Sequence, residues 1–192
     1  MSPRPRPGDV FPLPPELRPK EAGVLILLFP RGEDLGFFLT RRTDTVENHK
    51  GQISLPGGAQ EKGESLEQTA VRETCEELSV DPARVQMIGG PLTPVYIPVS
   101  GFRATAYVAF TPTRPAVTPE PGEVVEIIEM PLETLVDART IEEEEWEIRG
   151  YQTIVPFFNA NGHKVWGATA MVLGEFAEML RQVRVGVRDG IS

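Results

Sequence analysis

Three glutamates between positions 73 and 77 have the spacing that places their carboxylates on one face of a helix. Glu73, Glu76 and Glu77 occupy positions i, i+3 and i+4, which are neighbours on a helix surface. Carboxylates held this close repel one another unless cations lie among them. Glutamate oxygens are ligands that hard cations such as Mg²⁺ and Mn²⁺ prefer. The pattern therefore indicates a divalent-metal site.

An arginine and a glycine turn accompany the three glutamates. We expect Arg72 to neutralise part of the acid cluster and to pair with Glu64, since a guanidinium binds a carboxylate through two parallel hydrogen bonds. The Gly57-Gly58 turn lets the backbone approach closely, so a carbonyl of this turn could add a ligand. Cations held in this way stabilise charge on a diphosphate and activate water. A solvated acidic helix face would explain neither the turn nor the arginine.

A helix and a set of strands must position these groups. We predict a helix with Ser65 as its N-cap residue that runs to Leu78 and ends before Asp81-Pro82. Periodicity predicts a second long helix at 169–183 and a short one at 131–136. Strands are predicted at 22–29, 35–41, 85–88, 103–110, 124–130, 145–149 and 151–157. Strands combined with two long helices indicate an α/β layered sandwich.

Composition limits the classes of partner. The net charge of −9 argues against nucleic acid, because phosphate binding needs a basic surface. No apolar run approaches the ~20 residues that cross a membrane, and the N-terminus has no secretory signal pattern. The single cysteine, Cys75, excludes an internal disulfide and is expected to have a packing role. We therefore expect a cytoplasmic protein with a small-molecule partner.

The chain divides into three parts. Residues 1–20 contain seven prolines and are predicted to form an extended arm that either wraps the domain or stays mobile. Residues 21–183 are predicted to form one domain with a substantial core, and residues 184–192 a C-terminal tail.

The spacing of the charged residues resembles the Nudix box. Its fixed positions are matched by Gly58, Glu64, Arg72, Glu73, Glu76 and Glu77. Two positions depart from the box, since Thr74 replaces an aliphatic residue and Ser79 replaces the closing glycine. Glycine would end the helix in a left-handed conformation, and serine there costs about 1 kcal/mol.

The resemblance implies an α/β/α sandwich with a mixed β-sheet. It also implies a metal-dependent enzyme that hydrolyses a nucleoside diphosphate linked to another group, with Mg²⁺ or Mn²⁺ as cofactor. The implied metal ligands are the Gly57 carbonyl and the carboxylates of Glu73, Glu76 and Glu77, supported by Glu64 and Arg72. A homodimer is expected from the resemblance alone.

Members of this family often draw a further carboxylate from a later loop, as a ligand or as the general base. The turn at 119–123 offers Glu120 and Glu123 for this role. Either residue could instead be an ordinary turn acid.

Segments that flank the box resemble the coenzyme A diphosphatase branch. Its signature is matched in type by Leu39, Thr40, Arg42, Gly51, Pro56, Gly57 and Gly58. Residues 92–102 and 165–170 also resemble segments of this branch. Arg41, Arg42 and His49 put basic groups on the loop that leads to the metal site, where a polyanionic substrate would need them. We expect substrate contacts from these three residues and from the signature residue Gly51. Glu47 stands where the signature has arginine, and this reverses a charge.

The favoured interpretation is hydrolysis of coenzyme A or a derivative to 3′,5′-ADP and 4′-phosphopantetheine. An alternative keeps the reaction and changes the substrate to ADP-ribose, NADH or a dinucleotide, which Glu47 favours. A second alternative is a ligand-binding module without catalysis. Such a module would be expected to lose acids of the box, whereas Glu64, Glu73, Glu76 and Glu77 are all present.

Overall fold

Two β-sheets and three α-helices make up the part of the chain that the structure, a computed structural model, describes: residues 18–43, 52–148 and 150–189. The first sheet contains β1 (Lys20–Arg31), β2 (Asp34–Arg42), β3 (Ile53–Ser54), β4 (Gly57–Ala59), β5 (Gln86–Gly89), β6 (Val95–Ile97), β7 (Phe102–Phe110) and β8 (Val124–Pro131). The second contains β9 (Ile141–Ile148), β10 (Tyr151–Ala160) and β11 (His163–Val165). The helices are α1 (Leu66–Leu78), α2 (Leu132–Val136) and α3 (Gly167–Asp189). Short 3-10 turns cover Pro82–Arg84 and Ala138–Thr140.

The larger sheet is mixed. Its strands follow the order β3-β2-β1-β7-β5, and β4, β6 and β8 pair with β1, β7 and β2. Strands β1 and β7 run parallel over nine paired positions, whereas β1 and β2 are antiparallel. A parallel pair requires a long crossover connection, and α1 lies in the segment that connects these two strands. The predicted mixed sheet is confirmed.

The central strand β1 is buried on both faces, which explains its continuous apolar sequence. Leu25 and Leu27 pack in a cluster with Ala70 of α1. Ile26 packs in a second cluster with Leu173 of α3. The two long helices therefore cover opposite faces of the sheet, as expected for an α/β/α sandwich.

Several element bounds differ from the predictions. Strand β9 begins at Ile141 rather than at position 145, because pairing with β10 overrides the low strand propensity of its glutamates. Helix α3 begins at Gly167 and continues to Asp189, so most of the predicted tail at 184–192 is helical. Strands β3, β4 and β6 have only two or three residues, too few for a periodic pattern to show. Residues 1–17 of the arm predicted at 1–20 lie outside the described residues, and Lys20 is the first residue of β1.

Among the described residues, no helix combines the length and the apolar character that a membrane span requires.

Candidate active site

Helix α1 starts and ends where its sequence directs. Ser65 is the N-cap residue, as predicted, and forms a capping box with Gln68: the Gln68 N–H donates to Ser65 Oγ at 3.2 Å and the Ser65 N–H to Gln68 Oε1 at 2.9 Å. Ser79 ends the helix in the left-handed conformation with φ 56°. Its hydroxyl donates to the Thr118 carbonyl at 3.1 Å, which offsets part of the cost of serine in this conformation.

Two glycines bring the turn before α1 into contact with the sheet and the helix. A Cβ on Gly57, whose φ is +146°, would lie 2.3 Å from the Gly23 carbonyl oxygen of β1. A Cβ on Gly58 would lie 2.4 Å from the carboxyl carbon of Glu73. Gly57 meets backbone atoms at a positive φ, so this position requires glycine, whereas a Cβ on Gly58 would displace the carboxylate of Glu73. The Glu73 carboxylate therefore lies directly against the β4 backbone.

Arg72 binds three carboxylates of the acid cluster. Its Nε lies 2.6 Å from Glu64 Oε1 and its Nη2 lies 3.2 Å from Glu64 Oε2, so the predicted Arg72–Glu64 pair is confirmed. Arg72 Nη2 also lies 3.0 Å from Glu73 Oε1, and Nη1 lies 2.9 Å from Glu76 Oε2. The hydrogen bonds from Arg72 lower the pKa of Glu64 to about 2, against the opposing effect of desolvation. Glu64 is therefore held ionised as a fixed partner of Arg72.

Glu77 is the most buried carboxylate of the cluster. Its side chain is 3% exposed, and Oε2 accepts a hydrogen bond of 3.3 Å from the Gly57 N–H. Burial raises the pKa of Glu77 to about 7, with smaller increases from the charges of Glu123 and Glu73, while Arg42 and the Gly57 N–H oppose the increase. The charged form of Glu77 is thus poorly compensated by the protein itself.

The charged form of Glu73 is also poorly compensated, to a smaller degree than that of Glu77. Burial raises its pKa most, Arg72 opposes the increase, and the charges of Glu76 and Glu123 add to it. Glu77 and the half-buried Glu73 are therefore carboxylates on one helical face that a further cation would stabilise.

The turn that carries Glu120 and Glu123 packs against the end of α1. The Glu120 N–H donates to the Glu77 carbonyl oxygen at 3.1 Å, and the Thr118 N–H donates to that of Leu78 at 3.0 Å. Glu120 Oε1 accepts from the Gly122 N–H at 3.5 Å within the turn itself. The charge of Glu123, by contrast, raises the pKa of both Glu73 and Glu77. Of the two acids, Glu123 is thus the one whose electrostatic field reaches the cluster.

Two arginines at the end of β2 differ in their partners. Arg41 Nε donates to Glu126 Oε2 at 2.9 Å, and Glu126 Oε1 lies 3.6 Å from His163 Nε2. The positive charge of Arg42 lowers the pKa of Glu77. Its buried Nε has no hydrogen-bond partner within residues 18–43, 52–148 and 150–189, and such a donor is costly to leave unsatisfied. Arg42 is therefore the arginine that lies near the carboxylates with donor capacity to spare.

Three positions singled out in the sequence, Glu47, His49 and Gly51, lie outside the described residues. The predicted substrate contacts of His49 and Gly51 stay predictions.

The oxygen donors of the carboxylate cluster on α1 are of the kind that a hard divalent cation prefers. They supply only oxygen donors, and the raised pKa values of Glu73 and Glu77 show negative charge that the protein leaves uncompensated. In the described parts of the chain, no three acidic, histidine or cysteine side chains converge as a preformed metal site. Arg72 accounts for this, because it draws Glu73 and Glu76 toward its own guanidinium. Metal binding would require these two carboxylates to turn from Arg72.

Two residues of the site were not predicted from the sequence. Thr69 is fully buried, and its hydroxyl donates to Glu64 Oε2 at 2.9 Å. Its position three residues before Arg72 places it on the same helix face, and this spacing could have indicated it. Glu126 meets Arg41 only because β8 pairs with β2, and no local pattern indicates such a contact.

Comparison with known proteins identifies the family. A model of the NUDIX domain matches residues 19–151. The chain is 33% identical over 175 residues to the uncharacterized Nudix hydrolase NudL of Pectobacterium atrosepticum, and the match covers 86% of this chain and 87% of that protein. This chain belongs to the Nudix hydrolase family. It is also 34% identical over 181 residues to the chloroplastic Nudix hydrolase 22 of Arabidopsis thaliana, covering 88% of this chain but 58% of the plant protein's length.

Solved structures agree with this fold. A MutT/nudix family protein from Enterococcus faecalis superposes with a TM-score of 0.57 at 17% identity, covering 90% of this chain and 66% of that one. The Ap4A hydrolase of C. elegans in a binary complex gives 0.56 at 16% identity, covering 85% and 98%. At these identities the likeness concerns the fold, and the α/β Nudix architecture is confirmed.

Proposed function

We propose that this protein is a metal-dependent diphosphatase that hydrolyses coenzyme A or a coenzyme A derivative. One observation supports hydrolysis above all: the buried Glu77 and the half-buried Glu73 are carboxylates of raised pKa beside the Gly57-Gly58 turn. A ligand-binding module without catalysis would gain nothing from keeping such an unfavourable arrangement.

Each residue of the site has a proposed role. Glu73, Glu76, Glu77 and the Gly57 carbonyl would hold Mg²⁺ or Mn²⁺, which stabilises negative charge on the diphosphate and lowers the pKa of bound water. Arg72 and Glu64 fix the geometry of α1 through their paired hydrogen bonds. Glu123, whose charge raises the pKa of both Glu73 and Glu77, would accept the proton of the attacking water. Glu120 is a less favoured candidate, because its carboxylate faces its own turn.

Coenzyme A is favoured by the flanking sequence. Residues 38–43 and 51–58 follow the signature of the coenzyme A diphosphatase branch. The buried Nε of Arg42 has no hydrogen-bond partner among the described residues, and the charge of Arg42 lowers the pKa of Glu77. Cleavage of the diphosphate would give 3′,5′-ADP and 4′-phosphopantetheine or its acyl form.

A second substrate class, ADP-ribose or a dinucleotide, is favoured by two residues. Glu47 replaces the signature arginine, and Glu126 neutralises Arg41. Both reduce the positive charge available to the 3′-phosphate that distinguishes coenzyme A from these compounds.

A hydrolysis screen tests the proposal. Coenzyme A, 3′-dephospho-coenzyme A, ADP-ribose, NADH and diadenosine polyphosphates would be incubated with Mg²⁺ and with Mn²⁺, and the products separated by chromatography. We expect metal-dependent cleavage that is fastest with coenzyme A, from which it releases 3′,5′-ADP, and that excess chelator abolishes. Glu77→Gln should reduce turnover to background, while Glu143→Gln, a change of the same kind on an exposed strand position, should not. Turnover in excess chelator, or by Glu77→Gln, would refute the mechanism, and faster cleavage of ADP-ribose would refute the substrate.

A further inference from the structure

Glu64 is held by more donors than its pairing with Arg72 requires. Its Oε2 accepts hydrogen bonds from the Glu61 N–H at 3.1 Å, the Thr69 hydroxyl at 2.9 Å and Arg72 Nη2 at 3.2 Å. Its Oε1 accepts from Arg72 Nε at 2.6 Å. Two of these donors, the Glu61 N–H and the Thr69 hydroxyl, do not belong to the arginine. The carboxylate is therefore fixed by the loop before α1 and by α1 itself, independently of Arg72.

Packing fixes the direction of the Thr69 hydroxyl. Thr69 is fully buried, and a Cβ on Gly23 would lie 3.2 Å from the Thr69 Cβ, so the side chain lies against the bare backbone of β1. A β-branched side chain has few χ1 rotamers. The hydroxyl also lies 3.1 Å from the Ser65 carbonyl oxygen, but its single proton is donated more favourably to the carboxylate, which is closer and charged. Thr69 thus presents a donor to Glu64 at a fixed position.

The position of Glu64 decides what Arg72 does when a cation enters the cluster. In the metal-free protein, Arg72 also contacts Glu73 Oε1 at 3.0 Å and Glu76 Oε2 at 2.9 Å. These two carboxylates must turn from the arginine to bind a cation, and a guanidinium that followed them would compete with that cation for their charge. A fixed Glu64 retains the arginine, because its two hydrogen bonds with Arg72 need neither of the other carboxylates.

We propose that Thr69 is a positioning residue of the metal site, which acts by holding Glu64 and, through it, Arg72. With the arginine retained on Glu64, the carboxylates of Glu73 and Glu76 are free to bind the cation. The inference rests on the proposed function, since it concerns the divalent cation that these carboxylates would hold. It predicts that the Thr69 hydroxyl contributes to metal affinity without being a ligand.

A second buried threonine on the same helix provides a matched control. Thr74, like Thr69, is fully buried in α1, but its hydroxyl has no hydrogen-bond partner in the parts of the chain that the structure describes. Valine has the same branched shape as threonine and lacks the hydroxyl. Thr69→Val and Thr74→Val therefore differ in whether a hydrogen bond to the acid cluster is lost.

Binding of Mn²⁺ to the full chain tests the inference without any hydrolysis. We would titrate each variant with Mn²⁺ alone and measure the free ion by its electron paramagnetic resonance signal. We expect Thr69→Val to raise the dissociation constant about fivefold, which corresponds to about 1 kcal/mol and is part of what a hydrogen bond to a charged group contributes. Thr69→Ser keeps the hydroxyl and should bind Mn²⁺ nearly as the wild type does, and Thr74→Val should leave the constant unchanged. In a Glu64→Ala background, Thr69→Val should change it by less than about a factor of two, because the residue through which it acts is already removed.

The outcomes separate this inference from the function on which it rests. Failure of the wild type to bind Mn²⁺ would overturn the metal site itself and, with it, the role of Thr69. If the wild type binds Mn²⁺ and Thr69→Val binds it within about a factor of two as tightly, the positioning role alone is wrong. An equal loss in Thr74→Val, or an effect of Thr69→Val that persists without Glu64, would show that packing rather than the hydrogen bond is responsible, and would also overturn the inference.

Discussion

Replacement of Glu77 by glutamine should make the metal-free protein more stable, and only above acidic pH. Burial raises the pKa of Glu77 from 4.5 to about 7, so the folded protein binds this proton more tightly than the unfolded chain does. The carboxyl contributes no penalty below about pH 4.5, where it is neutral in both states. The stability falls as the pH rises through the interval from 4.5 to 7 and stays low above it.

The magnitude follows from the pKa difference. Each pKa unit corresponds to about 1.4 kcal/mol, so full ionisation of Glu77 costs about 3 kcal/mol of folding free energy. Glutamine does not titrate, and any packing effect of its amide is the same at every pH. The stability of Glu77→Gln minus that of the wild type should therefore increase by about 3 kcal/mol between pH 4 and pH 8.

Urea denaturation in excess chelator measures this difference, with Glu143→Gln as the control on an exposed strand position. Parallel pH profiles for Glu77→Gln and the wild type would refute the assignment of a buried, uncompensated carboxylate. Magnesium supplies a second check at pH 8. It should stabilise the wild type by about 3 kcal/mol at a hundredfold excess over its dissociation constant, and it should stabilise Glu77→Gln much less.

Three further changes test separate contacts. Gly58→Ala should reduce turnover with little change in the melting temperature, because its Cβ would lie 2.4 Å from the Glu73 carboxyl carbon. Steady-state kinetics measures the turnover, and a thermal melt measures the melting temperature. Gly23→Ala should instead destabilise the fold by about 3 kcal/mol, since its Cβ would lie 2.3 Å from the Leu66 carbonyl oxygen; urea denaturation measures this, with Gly150→Asn as a permissive comparison. Glu47→Arg should raise kcat/KM for coenzyme A relative to its 3′-dephospho form, and an unchanged ratio would remove this residue from the specificity argument.

The parts of the site that were predictable from the sequence are those encoded by local spacing. The helical repeat places Glu73, Glu76 and Glu77 on one face, and the Ser65 cap follows from local hydrogen bonding. Contacts made by strand pairing were not predictable. The substrate contact of Arg41 stays a prediction, but no local pattern indicates that its guanidinium binds Glu126, which follows from the register of β2 and β8. A sequence pattern shows which residues are cationic, but it does not show which carboxylate strand pairing places next to them.

Two glutamates of the box differ in how their charge is compensated. Glu64 is paired with Arg72, and its pKa is lowered to about 2. Glu77 is buried without such a partner, and its pKa is raised to about 7. One carboxylate is therefore ionised at every physiological pH and suits a fixed structural role. The other is unfavourable as an anion until a cation approaches, which is the condition expected of a metal ligand. Because Arg72 also contacts Glu73 and Glu76, the arginine offsets part of their charge, although the pKa of Glu73 stays raised. Glu77, to which no arginine of the described residues is hydrogen-bonded, is the carboxylate whose charge a metal ion would stabilise most.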